Sequence, residues 1–164
     1  MSPFEHCVVT VLIECPLYIR SQIHRHRTFS YNEVSRRYTS EDLQFYVPSF
    51  EDVRKQSKSN RQASDGQLKE SAAKSVVYRI GQFHNSSLKL YEELLEAGVC
   101  REQARGVLPQ NLMTKFYMTG NLRNYVHFIK LRSHEGAQKE VQDIAHQLKE
   151  ILLSLYPNIL STFF

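Results

Sequence analysis

The stretch HCVVTVLIECPLYIRSQIHRHR, residues 6–27, decides which type of fold the chain can adopt. Its first nine residues are rich in β-branched side chains, which predicts a strand over residues 6–14. Pro16 suits the first position of a helix, and PLYIRSQIHRHR, residues 16–27, predicts a short amphipathic helix. The apolar side chains of this helix that are available for the core are Leu17, Ile19 and Ile23. A strand that runs directly into such a helix is typical of a sheet covered by helices.

Helical periodicity dominates the sequence downstream. A long helix is predicted over residues 67–97, with Gly98 placed to end it. Its apolar residues recur at helical spacing and are Val76, Val77, Ile80, Phe83, Leu88, Tyr91, Leu94 and Leu95. The further predicted elements are a short helix over 101–108, a strand over 113–119, and helices over 121–131 and 137–155. The expected fold class is α+β, a small and mainly antiparallel sheet flanked by several helices, including the long helix and a C-terminal helix.

Two segments lack a clear periodic pattern. Residues 28–38, TFSYNEVSRRY, are polar with scattered aromatic side chains, and we expect a loop with at most a turn of helix. Residues 51–66, EDVRKQSKSNRQASDG, are almost devoid of large apolar side chains. This composition predicts a solvent-exposed loop.

The composition favours one globular domain over residues 1–164. Of these residues, 41% are hydrophobic and 23% are charged. No run approaches the roughly 18 apolar residues that span a bilayer, and MSPFEHCVV does not have the pattern of a secretory signal. We therefore expect no membrane association and a cytoplasmic location, in the host cytoplasm if the protein is viral. Cys7, Cys15 and Cys100 form no CxxC pair, so neither a metal site nor a disulfide framework is expected.

Positive charge is concentrated in one segment. The net charge is +4, and a single acid, Glu33, stands within the cluster. The cluster consists of Arg20, His24, Arg25, His26, Arg27, Arg36 and Arg37. Arginine pairs well with phosphate, which makes an anionic ligand the obvious partner. The competing interpretation is a solvated basic face.

The sequence RHRTFSYNEVSRRY, residues 25–38, contains the side chains suited to a nucleotide. If the chain is extended here, Glu33, Ser35 and Arg37 lie on one side of it. Arginine and serine could bind a phosphate, and the carboxylate could accept a hydrogen bond from a sugar hydroxyl. In the helices downstream, Arg101 and Arg105 lie one turn apart, as do Arg123 and His127, so each pair can share a helical face.

Residues 25–38 match the signature of the flavin-dependent (alternative) thymidylate synthases, an RHR followed by S-x-N-E-x-S-x-R-Y, and the chain resembles that family. The matching positions are Arg25, His26, Arg27, Ser30, Asn32, Glu33, Ser35, Arg37 and Tyr38. Further blocks follow in the family's order, namely SPFEH (2–6), FYVPS (45–49), REQARGVLP (101–109), GNLRNYVHFIKLR (120–132) and AQKEVQDIA (137–145). The family normally has several dozen residues before the first of these blocks, so we expect a version shortened at the N-terminus or a fragment.

The resemblance implies an enzyme that methylates dUMP to dTMP with FAD, NADPH as reductant and 5,10-methylenetetrahydrofolate as carbon donor. It implies a homotetramer with shared active sites. The residues implied to contact FAD are Ser2, Arg25, His26, Arg27, Glu33, Asn121, Leu122, Arg123 and His127. Those implied to contact dUMP are Gln22, Ile23, His24, Arg25, Glu33, Val34, Ser35, Arg36, Arg37, Arg105 and Arg132.

Arg132 is the one catalytic residue that the resemblance implies. It would face the uracil ring and favour ionisation at N3, which fits a transition state with growing negative charge on the ring. We expect no cysteine or serine to attack the uracil. Without the resemblance, Arg132 could form a salt bridge at a helix end, and His127 could be a partly buried core histidine.

Two functions of other classes remain open at this stage. A nucleic-acid-binding module could use the Arg/His cluster and the nine tyrosines for phosphate contacts and base stacking. A non-catalytic flavoprotein of the same fold would keep the flavin without the reaction.

Overall fold

The computed structural model describes residues 1–35, 43–60 and 63–164. The elements in chain order are a 3₁₀ helix (Ser2–Glu5), β1 (Val8–Pro16), α1 (Leu17–Ile23), β2 (Ser30–Glu33), a 3₁₀ helix (Phe50–Asp52), β3 (Arg54–Gln56), β4 (Ser64–Gln67), α2 (Glu70–Glu96), α3 (Arg101–Ala104), a 3₁₀ helix (Arg105–Val107), β5 (Met113–Asn121), α4 (Leu122–Arg132), α5 (Lys139–Leu155) and α6 (Pro157–Leu160).

Strand β5 is the centre of a three-stranded antiparallel sheet with the order β1-β5-β2. β1 pairs with β5 along its whole length, from Val8 opposite Asn121 to Pro16 opposite Met113. β2 pairs with the other edge of β5, with Glu33 opposite Phe116. Because side chains alternate along a strand, this register gives the sheet one buried face and one exposed face.

The core lies between the buried face of the sheet and helices α1, α4 and α5. Its largest fully buried side chains are Tyr125, Phe116, Phe128, Ile19, Ile23, Met118, Leu122, Ile129, Leu152, Leu160 and Val141. The Tyr125 hydroxyl donates to the carbonyl oxygen of Met118 at 2.7 Å, so a buried polar group keeps a partner. Predicted core residues Ile19 and Ile23 are buried, whereas Leu17 is half-buried.

Helix α2 lies outside this core. Although it has 27 residues, its buried side chains are only Ala73, His84, Ser87 and Tyr91. The Ser87 hydroxyl donates to the Val107 carbonyl at 2.9 Å, which ties α2 to the 3₁₀ helix after α3. Phe83, predicted as part of the apolar stripe, is 58% exposed. Apolar surface therefore extends along a helix that the rest of the described chain covers sparsely.

The outer face of the sheet also exposes large apolar side chains. Leu12 and Tyr117 face each other across β1 and β5, and they are 59% and 54% exposed. Beside them, Lys115 pairs with Glu14 at 3.4 Å. Large apolar side chains that are exposed together on the outer face of a sheet are typical of a surface that another chain covers.

The predicted α+β class is confirmed, and most elements lie where the sequence placed them. The strand predicted over 6–14 is β1, two residues further on, and the predicted long helix is α2, which begins at Glu70. The stop at Gly98 is confirmed by its φ of 87°, a conformation that glycine adopts at low cost. Among the described helices, none is both long enough and apolar enough to cross a bilayer.

Three sequence predictions require correction. Residues 28–38 were predicted as loop, but Ser30–Glu33 form β2, because pairing with β5 supplies the hydrogen bonds that local pattern does not reveal. Residues 51–66 were predicted as loop, but Arg54–Gln56 form β3, which pairs with β4, Ser64–Gln67, in antiparallel orientation. Both strands are largely exposed, so they lack the alternation by which strands are detected. The helix predicted over 16–27 ends at Ile23, where a turn stabilised by Tyr31 replaces it.

Gly120 provides a test of the packing between β5 and the segment before β2. A Cβ atom at Gly120 would lie 2.3 Å from Cδ1 of Phe29, and Phe29 is buried against Tyr125 with ring centroids 4.9 Å apart. We therefore expect Gly120→Ala to lower the free energy of unfolding by about 1–3 kcal/mol, measured by urea denaturation.

The matched control is Gly81→Ala in α2, where no atom lies within 4 Å of the added Cβ. This change should raise stability by about 0.5–1 kcal/mol, because alanine loses less backbone entropy in a helix. A wild-type urea midpoint for Gly120→Ala would show that Phe29 does not occupy this position.

Candidate functional site

Helix α1 and strand β2 lie side by side and bring the basic segment together. Arg20 Nε lies 3.2 Å from Glu33 Oε1. One helical turn later, the His24 ring stacks on the Tyr31 ring, with centroids 4.1 Å apart and planes 28° apart. Arg20 and His24 are four residues apart at the end of α1, and their partners Glu33 and Tyr31 are two residues apart on β2. Both spacings keep side chains on one side of their element, so the two pairs lie on facing surfaces.

A cleft of about 520 Å³ opens at the Arg20–Glu33 end of this pairing. We call it the Arg105 cleft. The predicted substrate residues that line it are Glu33, Val34, Ser35 and Arg105. Its other lining residues include Arg20, Glu102, Gly106 and Thr114. The cleft thus combines guanidinium groups, a serine and carboxylates on a partly apolar floor.

Glu33 is fixed by two neighbours within the cleft. The buried Thr114 hydroxyl donates to Glu33 Oε1 at 2.8 Å, and Arg20 forms an ion pair with the same oxygen. The backbone of the next residue, Val34, donates from its N–H to the Lys115 carbonyl at 3.0 Å. A half-buried carboxylate needs such compensation, because desolvation of an unpaired charge is costly.

Arg105 is the exposed guanidinium of the cleft. It begins the 3₁₀ helix that follows α3. Its Nε donates to the Glu102 carbonyl at the long distance of 3.4 Å. Within residues 1–35, 43–60 and 63–164 it has no ion-pair partner. Its charge is therefore available to an anionic ligand. Arg101, one helical turn earlier, does not line the cleft.

The RHR sequence occupies a tight turn between α1 and β2. The Tyr31 hydroxyl lies 2.9 Å from the carbonyl oxygens of both Ile23 and His26, so it binds the end of α1 and the turn together. Arg25 and Arg27 are exposed on this turn. Burial, and next the charge of Arg20, lower the pKa of the adjacent His24, which favours its neutral form.

Arg132 lies at the end of α4 and contacts this turn. Its Nε donates to His26 Nε2 at 2.9 Å. Burial, followed by the charges of Arg132 and His127, lowers the pKa of His26 to about 4. In the described chain Arg132 thus contacts an imidazole and has no carboxylate partner, unlike the helix-end salt bridge considered from sequence. Nearby, the Gln22 side chain donates to Gln138 Oε1.

The start of α4 adds a third group of predicted residues. Asn121 caps the helix, since its Oδ1 accepts from the Asn124 N–H at 3.0 Å. Asn124 in turn donates to the Thr28 carbonyl at 2.9 Å, which places the residue after Arg27 beside the helix start. Arg123 pairs with Glu5 of the N-terminal 3₁₀ helix, and Ser2 is exposed on that same helix. His127 is exposed, which excludes the core position considered for it.

Two predicted contact residues have buried side chains. Ile23 and Leu122 are both fully buried, and their backbone groups already bond to His26 and to Cys7. Both side chains belong to the core, on which the site rests. Arg36 and Arg37, both predicted to hold the substrate, lie outside the described residues.

The predicted residues lie at separate places along α1 and the turn that follows it. The Arg105 cleft lies at the Arg20–Glu33 end of the pairing between α1 and β2. Arg132 is not among the residues that line the Arg105 cleft. Arg132 instead contacts His26 on the turn after α1.

Three residues of the site received no role from the sequence. Arg20 stands in the basic cluster, and its spacing of four from His24 was the available signal. Thr114 could have been noticed only as a polar residue on a predicted buried strand. Gln138 gave no local signal, because its contact with Gln22 spans 116 positions.

The cysteines differ in burial. Cys15 is buried in β1, and burial, with Glu33 next, raises the pKa of its thiol to about 12. Cys7 is half-buried and Cys100 is exposed at the start of α3. Among the described residues, no three His, Cys, Asp or Glu side chains lie close enough to hold a metal ion.

Comparison with known proteins supports the resemblance seen in the signature. The family described as "Thymidylate synthase complementing protein" matches residues 1–158. A flavin-dependent thymidylate synthase of Aquifex aeolicus is 46% identical over 145 residues, which are 87% of this chain and 44% of that protein. A flavin-dependent thymidylate synthase of Thermus thermophilus is 42% identical over 156 residues, 95% of this chain and 56% of that protein. The chain thus spans about half the length of these relatives.

A solved structure matches over almost the entire chain. It is a UMP/dUMP methylase from Streptomyces cacaoi with bound 5-Br UMP, with a TM-score of 0.91 and 30% sequence identity. The match covers 99% of this chain and 77% of that one. A second structure of this methylase, with 5-Br dUMP, has a TM-score of 0.85 and 32% identity. Sequence signature, fold and family match agree, and the chain belongs to the thymidylate synthase complementing protein family.

Proposed function

We propose that this chain forms the active site of a flavin-dependent thymidylate synthase, which converts dUMP to dTMP by reductive methylation. The observation that carries the proposal is the Arg105 cleft, where a free guanidinium, Ser35 and the fixed Glu33 carboxylate line one space. This combination suits a phosphorylated sugar. The names of the relatives and the nucleotide bound in the similar structure support the same ligand class.

The nucleotide's charged end belongs in the Arg105 cleft. Arg105 and Ser35 hold its phosphate, and Arg37 joins them by family signature. Glu33 remains available to a sugar hydroxyl, because Thr114 and Arg20 both occupy its Oε1 oxygen and leave the other oxygen. A carboxylate held in one position can discriminate between sugars whose hydroxyl groups differ in position. A sugar that leaves the carboxylate oxygen without a hydrogen bond would bind less tightly.

Arg132 serves the pyrimidine. Its planar guanidinium can donate to a uracil carbonyl and stabilise the negative charge that grows on the ring during attack. No thiol is needed for activation, which agrees with the raised pKa and burial of Cys15. Gln22, oriented by Gln138, is a second donor for the nucleotide.

The residues around the start of α4 suit FAD. Exposed Arg25 and Arg27 lie on the turn beside the capped helix N-terminus, where N–H groups and the helix dipole favour phosphate. Arg123 and His127 share the exposed face of that helix. When bound, the flavin supplies the electrons that NADPH provides, and the carbon comes from 5,10-methylenetetrahydrofolate. The chain's own residues bind, orient and stabilise charge.

Two copies must meet to complete one site. Because Arg132 does not line the Arg105 cleft, we infer that a nucleotide contacting both is held by the cleft of one subunit and Arg132 of another. The exposed apolar residues of α2 and of the outer sheet face provide surface for such contacts. The proposal is a homotetramer with shared active sites. Its cytoplasmic location stays a prediction.

A nucleic-acid-binding function fits the charges less well. Glu33 and Glu102 lie within the Arg105 cleft, and a carboxylate repels a continuous phosphate backbone. Binding of DNA that weakens with salt, by a colourless protein, would favour that alternative. A yellow protein without dTMP formation would favour the non-catalytic flavoprotein.

The reaction is tested by anaerobic incubation with FAD, NADPH, 5,10-methylenetetrahydrofolate and dUMP, with dTMP measured by chromatography. We expect dTMP from the wild type and a decrease of roughly 10²-fold or more for Arg132→Ala, because one charge-stabilising group is lost. Arg132→Lys should restore little, since a point charge does not reproduce the planar fork. UMP, run in parallel, measures discrimination at the sugar.

The control for charge removal is Arg79→Ala, which removes an exposed arginine of α2 outside the three groups and should leave turnover near the wild-type value. If the loaded wild type forms no dTMP, the proposed reaction is wrong. Wild-type turnover by Arg132→Ala would remove Arg132 from the chemistry.

Shared sites are tested by complementation between Arg105→Ala and Arg132→Ala. Each variant alone should be nearly inactive. Co-expression should restore about a quarter of the wild-type activity, the share of sites that receive two intact halves when subunits of a symmetric oligomer pair at random. Differently tagged subunits would be co-purified to verify mixed oligomers. Mixed oligomers without restored activity would show that both arginines serve one site from the same chain.

A further inference from the structure

Arg132 ends α4 with a contact that its proposed role does not require. The Arg132 Nε–H donates to His26 Nε2 at 2.9 Å. One turn earlier on the same helix, the buried Phe128 ring lies 4.6 Å from the His26 ring at an angle of 65°. The imidazole therefore fills the space between two side chains of one helical face.

His26 is itself held from two sides. Its backbone N–H donates to the Ile23 carbonyl at 3.0 Å, and its own carbonyl accepts from the Tyr31 hydroxyl at 2.9 Å. These bonds link the imidazole to α1 and β2 through short backbone paths. Because His26 is held in place, its imidazole can fix the position of the longer and more flexible Arg132 side chain.

The hydrogen bond requires an unprotonated Nε2 on His26. Burial, the Arg132 charge and His127 lower the pKa of His26 to about 4, so the ring is neutral near pH 7 and can accept. The contact then assigns the ring proton to Nδ1. An arginine in water samples many rotamers, and fixing it costs conformational free energy. The contact with His26 fixes Nε before any ligand arrives.

We propose that His26 is the positioning residue for Arg132: its Nε2 takes the Nε–H and leaves the two terminal NH₂ groups aimed at the uracil. This inference rests on the proposed function, because it needs Arg132 to face the pyrimidine. It differs from the flavin contact that the family signature implies for His26. Backbone atoms of the turn can still contact the cofactor while the imidazole holds Arg132.

The design uses two replacements of different chemistry. His26→Gln places an amide oxygen near the position of Nε2 and can accept the hydrogen bond. His26→Phe keeps the ring shape and the contact with Phe128 but accepts nothing. Both are compared with the wild type, with Arg132→Ala, and with the double variant His26→Phe/Arg132→Ala.

In the flavin-loaded protein we expect His26→Phe to lower kcat at saturating dUMP by roughly tenfold to a hundredfold, because a misplaced group loses its effect on the transition state. KM for dUMP should change less, and flavin absorbance per chain should stay near the wild type. His26→Gln should recover most of kcat. In the Arg132→Ala background, His26→Phe should have no further effect, since it acts through Arg132.

A second readout does not depend on turnover. In ¹⁵N-labelled protein, a hydrogen-bonded arginine Nε–H exchanges slowly with water, so the Arg132 signal should be visible in the wild type and in His26→Gln and lost in His26→Phe. Assignment comes from its absence in Arg132→Ala. If the wild type makes no dTMP, the proposed function fails while this signal still decides the contact.

Three results would overturn the inference. The first is an Arg132 Nε–H signal that persists in His26→Phe. The second is a loss of activity in His26→Phe that follows loss of bound flavin. The third is an additive loss in the double variant, which would show that the two residues act independently.

Discussion

The hydroxyl of Tyr31 holds the turn on which the rest of the site depends. Its contacts with the carbonyl oxygens of Ile23 and His26 end α1 and set how β2 follows it. If the helix continued through residue 27, as its sequence pattern suggests, Arg25 and Arg27 would point away from each other along a helical surface. The turn instead exposes both arginines and directs the imidazole between them toward α4. The part-buried contacts of the Tyr31 hydroxyl thus determine where the basic residues lie relative to the Arg105 cleft, to Arg132 and to the start of α4.

Charge balance explains why this basic segment tolerates a carboxylate. Glu33 is paired with Arg20 and accepts from the buried Thr114 hydroxyl. A hydrogen bond to a charged group contributes about 1.5–3 kcal/mol, so the bond from Thr114 offsets part of the desolvation of Glu33. Because Arg20 compensates Glu33, the field of Arg105 is free to act on a ligand. His24, adjacent to Arg20 and partly buried, is kept neutral and does not compete for the anion.

Local sequence predicted the elements well and their contacts poorly. β1, β5, α2, α4 and α5 were all predicted, β1 from its β-branched composition and the others from a periodic apolar pattern, signals that are independent of neighbouring elements. β2 was not, because its four residues become a strand only against β5. The signature predicts which side chains matter, and the family match supports the family itself. The signature could not indicate that Arg132 lies against His26 rather than in the Arg105 cleft, since this contact joins residues 106 positions apart.

In the proposed oligomer, a site shared between subunits links assembly to ligand binding. A nucleotide that contacts the Arg105 cleft of one subunit and Arg132 of another is bound only by the assembled form, so it stabilises that form by mass action. The exposed Leu12 and Tyr117 side chains supply apolar surface for assembly but no selectivity for a ligand. Selectivity comes from groups that are fixed within each subunit before assembly, such as Glu33 by Thr114. In the proposed oligomer the two tasks are therefore separate: apolar surfaces bring subunits together, and hydrogen-bonded polar groups decide what binds between them.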